Sequence, residues 1–168
     1  MKISMYQASV PTFISMLENL NAMLEKAAAH AERNKIDPAV LINSRLYPDM
    51  FPLSRQVQIA TDGAKGCAAR LADMEPPRYE DNEETFPQLI ARNRKTIDYL
   101  SAFKPEQIDG SEDRTVVLKF RDSSKTFVGL PYLINYVLPN FYFHIATAYG
   151  ILRHSGVGLG KHDFLGKV

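Results

Sequence analysis

His144 is one of four histidines in the chain, with His30, His154 and His162, and its neighbours in the pattern are apolar. Val137, Phe141, His144, Ala148 and Ile151 recur at intervals of four, three, four and three, so a helix carrying them turns the imidazole toward the core. A histidine there could hold a ligand or a metal ion, or it could pair with a second polar side chain and fix the register of packed helices. Asn93 has the same kind of position in a second stripe, Phe86, Ile90, Asn93, Ile97 and Leu100. A polar group buried without a partner costs about 1–3 kcal/mol, so the spacing predicts both residues to be buried and hydrogen-bonded. Metal binding needs several converging ligands. His154 lies ten residues beyond His144, which on one helix means about 80° around and about 15 Å along, too far to share an ion. His154 and His30 each fall near the predicted end of a helix, where a partly positive imidazole suits the dipole.

The other chemically capable residues are less suggestive. Cys67, the one cysteine, lies on an apolar stripe with Lys65 and Arg70 as its basic neighbours, and reads as a small core hydrophobe. Gly156, Gly158, Gly160 and Lys161 imitate a phosphate loop, but Ser155 replaces its first glycine, His162 its Ser or Thr, and a helix precedes it where a strand is needed. The segment EPPRYEDNEE, Glu75 to Glu84, sets five carboxylates against one arginine and reads as a solvated loop. Tyr132, Tyr136, Phe141, Tyr142, Phe143 and Tyr149 point around most of a helix, so part of that set is expected to line a pocket or a homodimer interface.

The elements that would position these groups follow from periodicity. Ser9 is the expected N-cap of a first helix reaching about Ala31, with Pro11 in its first turn and Phe13, Leu17, Leu20, Leu24, Ala27 and Ala31 as its seam. A short helix is allowed around Pro38 to Asn43. A second long helix spans about Pro52 to Met74, with Leu53, Val57, Ala60, Ala64, Cys67, Leu71 and Met74 inward. Thr85 and Gln88 form a capping box for a third helix reaching about Phe103. Val116, Leu118 and Phe120 alternate with polar residues, Asp122 to Ser124 turn the chain, and Thr126 to Val128 extend again, which reads as a hairpin. The fourth helix begins near Pro139, preceded by a helical turn over Tyr132 to Val137, and stops at Ser155 and Gly156, leaving a tail too glycine-rich for a regular element. The expectation is therefore an all-α single domain, a four-helix bundle with a small β-hairpin inserted before the last helix.

Composition narrows the partners. The 168 residues carry a net charge of +1 with 45% apolar and 23% charged residues, which argues against nucleic acid or acidic lipid as a partner. From Thr126 to Leu152 no residue is charged, but Pro131, Asn135, Pro139, Asn140, His144 and Thr147 interrupt that stretch, so a buried helix is expected and no membrane span. Ile3 to Leu17 is also uncharged, and its serines, Gln7 and Pro11 speak against a cleaved signal. A single cysteine fits the reducing cytoplasm.

The runs LINSRLYPDMFPLSRQVQIATDGAKGCAARL and PNFYFHIATAYGILRHSGVGLGKHDFLG, with ETFPQLIARNRKTIDYL between them, resemble an uncharacterised, mainly bacterial domain-of-unknown-function family within the DinB/YfiT-like metalloenzyme superfamily. The resemblance spans essentially the whole chain. It implies a four-helix bundle, frequently dimeric, in a superfamily whose better-known members hold a three-histidine metal site and in some branches transfer or isomerise small thiol-linked substrates. That site takes one histidine near the start of the second helix and a His-x-x-x-His pair later. Here Asp49, Met50, Leu53 and Gln56 occupy the first region and Ala148 follows His144 by four, so at most His144 survives as a ligand. Asp49 or Gln56 could replace a ligand, and oxygen donors would shift the preference toward a harder ion.

Two readings follow. In the first, the chain is a dimeric bundle that binds a small molecule or has no catalytic role, with the former metal pocket kept as a cavity lined by Asp49, Gln56, Asn93, Tyr132, Asn140 and His144, and without a cofactor. In the second, a metal-dependent hydrolase or transferase uses the same pocket with a divalent ion. Whether the protein is an enzyme stays open at this point.

Overall fold

The first helix starts earlier than Pro11 suggests, because Ser4 and Gln7 build a reciprocal cap. In the computed structural model, which describes residues 3–119 and 122–166, Ser4 Oγ accepts from the Gln7 N–H at 3.3 Å and Gln7 Oε1 accepts from the Ser4 N–H at 3.2 Å. Helix α1 runs Met5–Arg33. Ser9, the expected N-cap, is instead buried in its second turn, its hydroxyl donating to the Met5 carbonyl at 2.6 Å. Pro11 lies inside the helix on its exposed side. An interior proline costs about 3 kcal/mol, and burial of even two large apolar side chains at ~1.5–3 kcal/mol each offsets that. Here Phe13, Leu17, Leu20 and Leu24 are all fully buried, as are Ala27 and Ala31 further along the seam.

Asp37 caps the short helix α2, Pro38–Ile42, its carboxylate accepting from the Ala39 N–H at 2.9 Å. Helix α3 spans Leu53–Leu71 and buries Leu53, Val57, Ala60, Ala64, Cys67 and Leu71. It ends before Met74, which is 47% exposed, because Asp73 turns the chain with φ of 59°. Helix α4, Phe86–Ser101, begins at the expected Thr85–Gln88 box. Its inward stripe is rotated from the one expected: Leu89, Arg92 and Thr96 are buried with Phe86, Asn93 and Leu100, while Ile90 and Ile97 are only half-buried. After it, the turn around Lys104 to Gly110 contains a one-turn helix α5, Pro105–Ile108.

Strands β1, Thr115–Lys119, and β2, Ser124–Val128, pair antiparallel with Thr115 opposite Val128 and Lys119 opposite Ser124. β2 starts two residues before the expected Thr126. Val116 and Leu118 face inward, whereas Phe120 lies outside the described residues. The chain then stays helical without a break through α6, Gly129–Pro131, a π-helical segment, Tyr132–Val137, and α7, Leu138–His154. Helix α7 thus starts one residue before the expected Pro139, and the helical turn expected over Tyr132 to Val137 is the π-helical segment that precedes it. Gly129 makes the corner possible, since a Cβ there would stand 1.9 Å from the Ser111 carbonyl oxygen. The tail does contain a regular element, contrary to its glycine content: helix α8, Lys161–Leu165. Asp163 accepts from the Gly160 N–H at 2.7 Å and pairs with Lys26 at 2.6 Å, and Asn19 donates to the Phe164 carbonyl at 3.1 Å, which pins the tail to α1.

The four long helices α1, α3, α4 and α7 form the bundle, with α1 against α4 and α3 against both α4 and α7. Most of the chain is helical, and the hairpin precedes the last long helix. Among the described residues no helix is long and apolar enough to cross a membrane.

Candidate functional site

Helix α3 places Gln56 in its first turn, and α7 turns His144 toward it. The imidazole Nδ1 and Gln56 Oε1 are 2.7 Å apart, and Gln56 Nε2 donates to the Phe51 carbonyl at 2.9 Å. Because the amide N–H₂ is spent on a carbonyl, Oε1 is an acceptor and Nδ1 must carry the proton, an assignment that follows from the hydrogen-bond pattern. Gln56 is 1% exposed and His144 7%. Burial, aided by the charge of Arg55, holds the His144 pKa below its ordinary value, so the ring is neutral near pH 7. The Phe143 ring stands edge-on to it at 5.3 Å. The expected buried, hydrogen-bonded histidine is therefore found, with Gln56 as its partner.

The remaining candidates sit apart from that pair. Asn93 donates to the Leu17 carbonyl at 2.8 Å and to Asn21 Oδ1 at 2.9 Å, tying α4 to α1. The Tyr132 hydroxyl accepts from Arg70 at 3.3 Å, and burial pushes its pKa up. Asp49 is exposed in the loop before α3, and Asn140 is half-buried on α7. The six residues thus do not form one hydrogen-bonded group. His30 and His154 fall in the last turns of α1 and α7 as expected. Cys67 is fully buried and desolvation pushes its thiol pKa up, which leaves it unreactive. Among the described residues no group of three or more His, Cys, Asp or Glu side chains is placed to hold a metal ion.

Sequence reasoning missed the polar cluster around Arg92, whose side chain is 2% exposed between α3 and α4. Its guanidinium donates to Thr61 Oγ1 at 2.8 Å and to the Glu80 carbonyl at 2.9 Å, and it pairs with Asp62 at 2.8 Å, Glu83 at 3.0 Å and Asp81 at 3.1 Å. Glu83 also accepts from Gln58 at 2.9 Å, and Asp81 pairs with Arg55. Lys65, Lys95 and Arg92 surround the Tyr79 ring at 4.6, 4.4 and 5.2 Å. The acidic segment is the largely exposed loop expected, with Glu75, Glu80, Asp81 and Glu84 at the surface, but Arg92 and Arg55 also strap it across the helices. It forms a wall of two surface cavities, one of about 480 Å³ beside Tyr79, Gln88, Arg92 and Lys95, the other of about 620 Å³ beside Phe51, Arg55, Gln58 and Thr85. The five carboxylates within ten residues were the available signal, since so many acids call for a cation.

The fold and this arrangement define a DinB-like helical bundle. The chain superposes on the crystal structure of a DinB family member protein from Shewanella denitrificans with a TM-score of 0.88 and 42% identity, covering 97% of this chain and 92% of that one. Residues 5–165 match the family model described as domain of unknown function (DUF1993), and the chain belongs to that family. No curated protein matches the chain.

Proposed function

We propose that this protein is a dimeric, non-catalytic bundle of the cytoplasm that binds a small molecule and has lost the three-histidine metal site of its superfamily. The observation that carries this reading is the closed hydrogen bond between His144 Nδ1 and Gln56 Oε1 at 2.7 Å. Gln56 lies near the start of the second long helix, where the resemblance places a histidine ligand, and it spends both polar ends of its amide on protein partners. Ala148 stands where the second histidine of the pair would be. This donor set does not fit a three-histidine centre, and no step is assigned to a metal. Dimerisation is supported by the exposed aromatic surface of α7, where Phe143 is 55% and Tyr142 37% exposed in a region free of formal charge. The cytoplasmic assignment rests on the single, buried, unpaired Cys67.

Elemental analysis of protein purified without an affinity tag is expected to find no stoichiometric metal, and a thermal-shift screen of small molecules is expected to find stabilising compounds. Near-stoichiometric metal that disappears in His144→Ala would overturn the reading and favour a metal-dependent hydrolase or transferase.

A further inference from the structure

The ion pairs around the acidic segment close on themselves and leave two cations over. Arg55, Lys65 and Arg92 are met by Asp62, Asp81 and Glu83. Arg92 is committed within the protein, its guanidinium donating to Thr61, the Glu80 and Gln58 carbonyls, Glu83 and Asp62. Arg78 and Lys95 differ. Both are exposed, neither has a carboxylate within ion-pair distance among the described residues, and Lys95 stands 4.4 Å over the Tyr79 ring. They line one cavity of about 480 Å³, with Tyr79, Glu80, Gln88 and the paired Arg92 and Glu83. Small-molecule sites span about 300–1,000 Å³, so the size suits a ligand. Gln88 adds a neutral donor: its Oε1 accepts from the Glu84 and Thr85 N–H groups at 2.8 and 3.0 Å, which leaves the amide N–H₂ as the end open to a ligand. Glu80, whose carboxylate accepts from Asn82 at 3.2 Å, is the one opposing charge. With Arg92 and Glu83 cancelling, Arg78 and Lys95 outweigh Glu80 in the cavity wall. Such a wall selects an oxygen anion, which accepts from all three donors, whereas an ammonium would meet two cations.

We infer that this cavity, between the acidic segment and α4, binds a small organic molecule through an oxyanion, a phosphate or a carboxylate. Lys95 and Arg78 supply the counter-charge and Gln88 a further hydrogen bond. The inference rests on the ligand-binding reading above and gives that ligand a place and a charge. The site is separate from the Gln56–His144 pair, neither member of which lines the cavity. Binding here is ionic and hydrogen-bonded, and no covalent bond forms or breaks. Because both cations are exposed, affinity falls as salt is added.

Calorimetric titration of the full chain with inorganic phosphate and, separately, with citrate tests it, at about 20 mM ionic strength where screening is weak. At least one anion is expected to bind: phosphate alone supports a phosphate-bearing ligand, citrate alone a carboxylate, and both together the shared charge. The dissociation constant is expected to rise at least about fivefold in Lys95→Gln and in Arg78→Gln, and to fall in Glu80→Gln. These three positions are exposed, so the variants keep the core intact. Arg94, an exposed cation on the same helix, pairs with Glu25 and does not line this cavity, so Arg94→Gln is expected to bind as the wild type does. No binding of either anion, affinity unchanged in Lys95→Gln and Arg78→Gln, weaker binding in Glu80→Gln, or an equal loss in Arg94→Gln overturns the inference. Thermal stabilisation by uncharged compounds would then leave the ligand-binding reading standing.

Discussion

Arg92 and Glu83 meet at 3.0 Å, with the guanidinium 2% and the carboxylate side chain 11% exposed, so a nearly buried ion pair fastens an irregular segment to α4. Truncating one member of such a pair leaves the other charge uncompensated. Arg92→Met is expected to lower the unfolding free energy by about 3–5 kcal/mol, measured by urea denaturation. Glu83→Gln should cost less, about 1–2 kcal/mol, because Asp62 and Asp81 still face the guanidinium. An Arg92→Met protein as stable as the wild type would mean that the strap is not held by this pair.

The buried neutral imidazole of His144 makes stability depend on pH. Its folded-state pKa lies below the ordinary 6.5, so on acidification the unfolded chain takes up the proton first. The contribution is fully present above that value and is lost as pH falls through the folded-state pKa. The difference in unfolding free energy between wild type and His144→Phe should therefore be flat above neutrality and shrink as the pH drops below about 6.5. A difference that grows on acidification would contradict a neutral ring.

Asn93 donates both of its contacts, to a carbonyl and to Asn21 Oδ1, from a fully buried position. Asn93→Asp replaces the donor by a carboxylate oxygen facing two acceptors. We expect a loss of about 3 kcal/mol or more near neutral pH, partly recovered in acid where the new carboxyl is protonated. Equal loss at both pH values would point to packing alone.

Gly129→Ala would force a methyl group into the Ser111 carbonyl, 1.9 Å from its ideal position. Backbone on both sides must shift, and an overpacked site of this kind costs about 1–3 kcal/mol. The expected outcome is a lowered melting temperature with the helical circular dichroism retained.

The exposed ring of Phe143 provides a test of assembly that leaves the core intact. Phe143→Glu is expected to convert a dimer into a monomer in sedimentation at micromolar concentration, with little change in helicity. A wild-type chain that sediments as a monomer would remove the dimer from the proposal.

Much of this architecture was legible because long helices repeat their burial pattern. The seam from Phe13 to Ala31 and that from Leu53 to Leu71 lie in the core residue for residue. On α4 the apolar Ile90 and Ile97 drew the stripe to the wrong angle, because Arg92 and Thr96 look like surface residues until the strap supplies their partners. Helix α8 was hidden for a similar reason, since its order comes from Lys26 and Asn19, far away in the sequence. The inward position of His144 could be read from spacing, but its pairing with Gln56 could not. That pairing depends on how α7 and α3 are rotated against each other. Asp49 stands where the resemblance expects a ligand and Tyr132 belongs to the aromatic set, but Asp49 is exposed and Tyr132 finds its partner in Arg70.

The π-helical segment Tyr132–Val137 inserts into one continuous helix a turn whose hydrogen bonds span five residues instead of four. The surplus residue shifts the side-chain phase of everything before it by about 100° relative to α7. Gly129 at the hairpin corner and His144 in the bundle thus belong to two angular registers joined by an adaptor. Loss or gain of a single residue in the segment would re-aim the hairpin while leaving the Gln56–His144 contact where it is.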